Sequence, residues 1–186
     1  MKKKTPALLI LAVIFTFVAA SSVMATPITP ITNLTLLGGP VIVGDTFDVE
    51  VTIDGNGIGQ ELLAFGFDVF DGSGTTFAYN SYTVDPGFMD TSFGINNVSG
   101  MAFTGIPEND VLITTLHFTA LAVGSDTLST IGLYDGAFSG LFYEIDGHDI
   151  VAELDIDVNP IPEPGTMLLL GSGLIGLAGY RKRLRK

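Results

Sequence analysis

Few side chains in this chain have the type and spacing to do chemistry, and each has a plain structural alternative. Asp54-Gly55-Asn56-Gly57 sets oxygen ligands two residues apart, with Glu61 seven residues after Asp54. A calcium loop uses such spacing, although the full EF-hand pattern is missing. The same tetrapeptide is good hairpin-turn chemistry, so Asp54, Asn56 and Glu61 are either calcium ligands or turn formers. His148 lies in Glu144-Ile145-Asp146-Gly147-His148-Asp149, where Asp146 or Asp149 would join it on a transition metal, or the stretch is simply a turn. Nucleophilic catalysis needs a base, and the only histidines are His117 and His148. His117 falls mid-strand among threonines, where an ordinary surface histidine is the plain reading. A paired-carboxylate hydrolase is formally open, but the acids fall on exposed strand faces and turns. Tryptophan is absent, and most of the phenylalanines outside the first twenty residues fall where a core needs them, leaving Tyr79 and Tyr82 as a candidate platform for a sugar ring. No catalytic residue is assigned, and calcium is the only candidate cofactor.

The elements that must position these groups are strands. In Thr46–Asp54, Phe47, Val49, Val51 and Ile53 face one side while Asp48, Glu50, Thr52 and Asp54 face the other. This period of two, with acids outward, is a half-buried antiparallel strand. Leu63, Phe65, Phe67 and Val69 repeat it, and Leu62, Ala64 and Phe70 make the second face apolar as well, which predicts a central strand covered on both sides. Val111–Ala122 and Asp149–Val158 alternate in the same way. Shorter candidates are Ile31–Leu37, Pro40–Val43, Thr75–Tyr79, Asp126–Ile131 and Leu141–Ile145, separated by turns such as Asp71-Gly72-Ser73-Gly74 and Asp135-Gly136. Asn80–Asp110 follows no clear pattern and reads as an inserted loop. Eight or nine short strands predict an all-β fold, a single antiparallel β-sandwich of jelly-roll type.

The charge is segregated. All eight Lys and Arg sit at positions 2, 3, 4, 181, 182, 183, 185 and 186, whereas all twenty Asp and Glu lie between Thr26 and Pro164. The net charge of −12 therefore hides a middle region that approaches −20. Such a region excludes nucleic acid as a natural partner. It suits counter-cations, basic surfaces, or solubility alone. There is no cysteine, so an exported domain must be held by its core, or by core and ion.

Both ends read as targeting signals. Lys2, Lys3 and Lys4 precede an apolar run from Ala7 to Ala20 and then Ser21-Ser22-Val23-Met24-Ala25, a signal peptide over 1–25 cut by signal peptidase after Ala25. At the other end Pro162-Glu163-Pro164 precedes sixteen uncharged residues, 165–180, and a basic tail, 181–186. Sixteen residues make roughly 24 Å of helix, enough to cross a membrane if the basic side chains snorkel. The positive tail would remain cytoplasmic, with the middle region outside the inner membrane.

The order Pro-Glu-Pro, apolar segment, basic tail over 160–186 resembles the PEP-CTERM sorting signal of bacteria that export polysaccharide. The resemblance implies recognition of Pro162, Glu163 and Pro164 by exosortase, a membrane-embedded cysteine protease, with removal of the tail. Within residues 26–159, Val43-Gly44-Asp45-Thr46-Phe47-Asp48-Val49, Leu63-Ala64-Phe65-Gly66-Phe67-Asp68-Val69 and Leu112-Ile113-Thr114-Thr115-Leu116-His117-Phe118 resemble the strand motifs of cohesin-like domains, a sandwich shared with several carbohydrate-binding modules. The expectation is a non-enzymatic structural or interaction protein of the cell surface or matrix, held transiently at the inner membrane and then displayed or released. Its partners would be exopolysaccharide or another envelope protein. The alternatives are a carbohydrate-binding or cohesin-like adhesion module, or a polysaccharide hydrolase.

Overall fold

The computed structural model describes residues 28–107, 109–162, 165, 169–175 and 177. The signal segment with Ala25, the Glu163-Pro164 pair, residues 166–168, 176 and 178–180, and the basic tail lie outside the described residues. Twelve strands account for the fold: β1 Ile31–Leu36, β2 Val41–Ile42, β3 Thr46–Asp54, β4 Leu62–Phe70, β5 Phe77–Val84, β6 Met89–Asp90, β7 Asn97–Ile106, β8 Val111–Ala120, β9 Gly124–Gly132, β10 Gly140–Tyr143, β11 Gly147–His148 and β12 Ile150–Asn159. Nine overlap expected strands, although β5 runs on through residues 80–84 into the stretch that read as an inserted loop. The other three, β6, β7 and β11, were not expected, and β6 and β7 occupy the stretch that read as an inserted loop.

The strands form two sheets. The first has the order β1-β3-β8-β5. The second runs β11-β10-β4-β9-β12-β2, with β7 also paired to β4 and β6 paired to β7. The arrangement is mixed and not purely antiparallel, because β12 and β2 run parallel through Val158↔Val41 and Asn159↔Ile42.

The alternation in β3 packs as its sequence requires. Val49, Val51 and Ile53 are fully buried, and Phe47 nearly so. Cross-strand register pairs Phe47 with Phe118 and Val49 with Leu116. Phe47 stacks on Phe118 with ring centroids 5.3 Å apart, and Phe77 meets both edge-on at 5.9 and 5.7 Å. Across the sandwich Phe65, Phe67, Leu128, Leu141 and Ile156 complete one continuous core. Each such fully buried side chain contributes about 1.5–3 kcal/mol.

β4 is central, as its doubly apolar pattern predicts, flanked by β7 on one side and by β10 and β9 on the other. Its inner residues Phe65, Phe67 and Val69 are buried. Its outer residue Gly66 lies under the loop that carries Phe138, Ala64 is partly buried, and Phe70 at its end is half exposed. Beyond the sandwich, residues 169–175 and 177 are helical. Among the described residues no helix is long and apolar enough to cross a membrane.

Candidate functional site: an aromatic groove on the second sheet

Outward-facing residues of β4, β7 and β10 form a floor that is apolar where a solvent face is normally polar. The register sets Ala64 beside Met101 on one side and Phe142 on the other, and Met89 beside Met101. Two loops rise from this floor: 91–96, between β6 and β7, carries Phe93, and 133–139, between β9 and β10, carries Phe138. Between them lies a groove of about 780 Å³ lined by Ala64, Phe65, Thr91, Phe93, Asn97, Ser99, Gly100, Met101, Ala137, Phe138 and Phe142. None of these carries a charge, in a domain whose ionisable groups are almost all acids. Phe93 is 92% exposed and Phe138 is 83% exposed, so neither ring serves the core.

Short polar side chains fix both loops. In the first, the Asp90 carboxylate accepts the Ser92 N–H at 2.9 Å. Ser92 Oγ accepts the Ser99 N–H at 2.8 Å and donates to the Ser99 carbonyl at 3.1 Å. The Thr91 and Ser99 hydroxyls are 3.0 Å apart. In the second, Asp135 Oδ1 accepts three backbone N–H groups, from Ala137 and Phe138 at 2.8 Å and from Ser139 at 3.1 Å. Those bonds, the one from Phe138 foremost, hold the Asp135 carboxyl below the usual aspartate range.

Glycine allows the second loop to lie flat on the sheet. A β-carbon at Gly147 would run into the Tyr134 ring. That ring instead packs over the strand and against Phe142, with centroids 5.2 Å apart, while the Tyr134 N–H is anchored on Asp149 at 2.7 Å.

The residues singled out from sequence fall elsewhere. Asp54 Oδ1 accepts the Asn56 N–H at 2.8 Å, Asn56 adopts φ 53°, and the Asn56 amide reaches the Thr29 carbonyl at 3.3 Å. Glu61 packs its side chain against Gly105. The Asp54–Asn56 bond is a turn contact and the other two are long-range; among the described residues no group of three or more His, Asp or Glu gathers as a metal site. Asp146 accepts a 3.4 Å bond from Gln60, and Asp149 Oδ1 accepts the Tyr134 N–H at 2.7 Å.

Tyr79 and Tyr82 lie partly buried against the core. The Tyr79 ring sits 5.4 Å from that of Phe118, and its buried hydroxyl has no hydrogen-bond partner. Burial, with the neighbouring Tyr82 phenol, pushes that hydroxyl well above the usual tyrosine range. The pair is packed inward and presents no open platform. Pro162 is exposed directly after the sandwich.

His117 is more connected than a lone surface histidine. Its Nδ1 lies 2.7 Å from Asp48 Oδ1 and its Nε2 lies 2.8 Å from Thr83 Oγ1, linking β3, β8 and β5 across the outer face of the first sheet. Hydroxyl, imidazole and carboxylate in a row also form the arrangement used in acyl transfer.

The groove went unread because its aromatics were assigned to the core. Six of the eleven phenylalanines beyond Phe17 are buried, namely Phe47, Phe65, Phe67, Phe77, Phe88 and Phe118. A usable signal was present: Ser92-Phe93-Gly94 and Ala137-Phe138-Ser139-Gly140 place a ring among turn formers, off any strand.

Comparison with known proteins agrees with both halves of this description. Residues 160–183 match the PEP-CTERM protein-sorting motif. No curated protein matches the chain. Among solved structures, a cohesin module from a family 33 glycoside hydrolase of Clostridium perfringens aligns with TM-score 0.56 at 16% identity, over 72% of this chain and 100% of the module. A chain of a type I cohesin–dockerin complex from Clostridium thermocellum aligns with TM-score 0.50 at 11% identity, over 70% of this chain and 99% of its own. The chain thus carries a PEP-CTERM sorting motif behind a β-sandwich of cohesin-like fold.

Proposed function

We propose that the chain is an exported protein that is held at the inner membrane, processed by exosortase at its Pro-Glu-Pro motif, and then displayed on the cell surface or released into the matrix. Its sandwich is a non-catalytic interaction module, and the groove is its contact site. The observation that carries this reading is the pair of unpacked rings, Phe93 and Phe138, at the rims of an uncharged apolar groove. Exposed apolar clusters of this kind mark contact sites, and aromatic and Met side chains are enriched in interface cores. The partner is a protein of the envelope or matrix that offers apolar side chains.

The groove is also aimed away from the tether. Register runs from Asp68 through Ile131 to Val151, so Ala64 lies level with or before the start of β12. Asn159, where the sorting motif takes over, is the far end of that ten-residue strand. At about 3.3 Å per residue the two ends are roughly 30 Å apart.

A second reading, binding of a neutral exopolysaccharide chain, is favoured by Thr91, Asn97 and Ser99, which set hydrogen-bonding groups beside the rings. One experiment separates the two. Processed protein purified from its host is passed over the protein and the polysaccharide fractions of the host matrix, as wild type and as Phe93→Ser/Phe138→Ser. Retention on protein, lost in the variant at an unchanged melting temperature, is expected. Retention on polysaccharide alone would establish the second reading, and equal retention of the variant would sink the groove as the site. Intact mass tests the sorting half: a mature protein ending at Lys186 in the inner membrane would overturn processing.

A further inference from the structure

β12 runs straight into the sorting motif. Its last residue, Asn159, pairs with Ile42 in the parallel β2–β12 ladder. Its carbonyl accepts the Val43 N–H at 3.0 Å, and its side-chain amide donates to the Val41 carbonyl at 3.3 Å. Val158 and Val41 are buried beside it. The matched motif begins at the next residue, so only Pro160 and Ile161 separate this closed ladder from Pro162. Three residue steps reach at most about 10 Å.

A protease takes its substrate as an extended, unpaired backbone, and cleavage beside folded structure follows the population of the locally opened form. Ten ångströms does not clear the edge of a sandwich, whose stacked sheets are themselves about 10 Å apart. The segment that must yield is short: β2 is two residues long, lies at the sheet edge, and contributes two ladder positions. We propose that the β2–β12 pairing is a clasp that gates processing, so that removal of the tail proceeds through the state in which Val158-Asn159 has peeled from Val41-Ile42. This rests on the reading that the tail is removed at Pro-Glu-Pro. It adds that the folded domain sets the rate, which gives the sandwich time to fold and dock while still anchored.

The test follows the full chain in its own host by pulse labelling and intact mass. Inserting about ten Gly-Ser residues between Asn159 and Pro160 leaves the sandwich untouched and frees the motif from the clasp; processing accelerates about tenfold or more. Asn159→Ala removes one side-chain hydrogen bond from the closed form and accelerates processing by about fivefold. Unchanged rates in both variants, with the wild type still processed, would overturn the clasp and leave the sorting reading intact. Slower processing of the insertion variant would also overturn it, because the enzyme would then be reading the sandwich end itself. A wild type that is never processed would bring down both.

Discussion

The backbone carbonyl of Phe138 rests on Gly66, in the space that a β-carbon at that position would fill. The groove therefore depends on a missing side chain in β4 as much as on the rings that flank it. Gly66→Ala pushes the 133–139 loop off the sheet and tilts Phe138 away from Phe93. The expected loss is about 1–3 kcal/mol, the usual result of overfilling a packed site. Urea unfolding measures it, and a variant as stable as the wild type would show that the loop does not bear on Gly66.

Asp135 ties the same loop to pH. Its carboxyl is held below the usual aspartate range by the N–H groups of Phe138, Ala137 and Ser139. A group depressed on folding adds stability above its unfolded pKa, near 3.9, and loses that contribution as pH falls through the lower folded value. Wild type therefore exceeds Asp135→Ala in stability at neutral pH, and the gap closes at pH values below the ordinary aspartate range. Melting curves of both proteins from pH 7 to 2 check this; a constant gap would contradict it.

The Asp48–His117–Thr83 link is a tie across three strands. Its members are partly exposed, with the His117 side chain at 31% and that of Asp48 at 45%. His117→Ala is expected to cost no more than about 1 kcal/mol, the scale of a solvent-facing pair. The wild-type protein should hydrolyse simple acyl esters no faster than buffer does. Turnover that His117→Ala abolished would establish catalysis and overturn the non-enzymatic reading.

Much of the fold was legible because it follows from alternation. β3 needed only Phe47, Val49, Val51 and Ile53 facing one way, and its ends fall at Thr46 and Asp54 as expected. β7 failed that test for a physical reason. Its inward positions are Val98, Gly100 and Ala102, and its outward ones include Met101 and Phe103, which are 40% and 83% exposed. Large apolar residues face out and small ones face in, so the hydrophobic contrast that marks a strand is inverted. Gly100 is small because the Phe65 ring and Phe88 occupy its side of the sheet. That relation spans thirty-five positions and leaves no local trace.

The site was less legible than the fold. Asp-Gly-Asn-Gly and the two tyrosines drew notice through their residue types; in the structure the first forms a turn and the tyrosines pack partly against the core. The rings at the rims of the groove, on Phe93 and Phe138, belong to a residue type usually assigned to cores. The inverted strand β7 and the groove share a cause. Apolar side chains released from the core by glycine and alanine reappear on the outer face of the same strands.

The purely acidic sandwich has a further consequence for how the protein can be joined or destroyed. From Thr5 to Tyr180 no peptide bond follows a lysine or an arginine. Digestive enzymes that cut after basic residues find no site anywhere in the folded domain or its linker. The same stretch offers no ε-amino group, so its side chains cannot supply the amine of an isopeptide or imine cross-link. Any covalent fixation to a wall or matrix must run through a hydroxyl, a carboxylate, a carboxamide or a chain end, such as the one the proposed sorting cut would create.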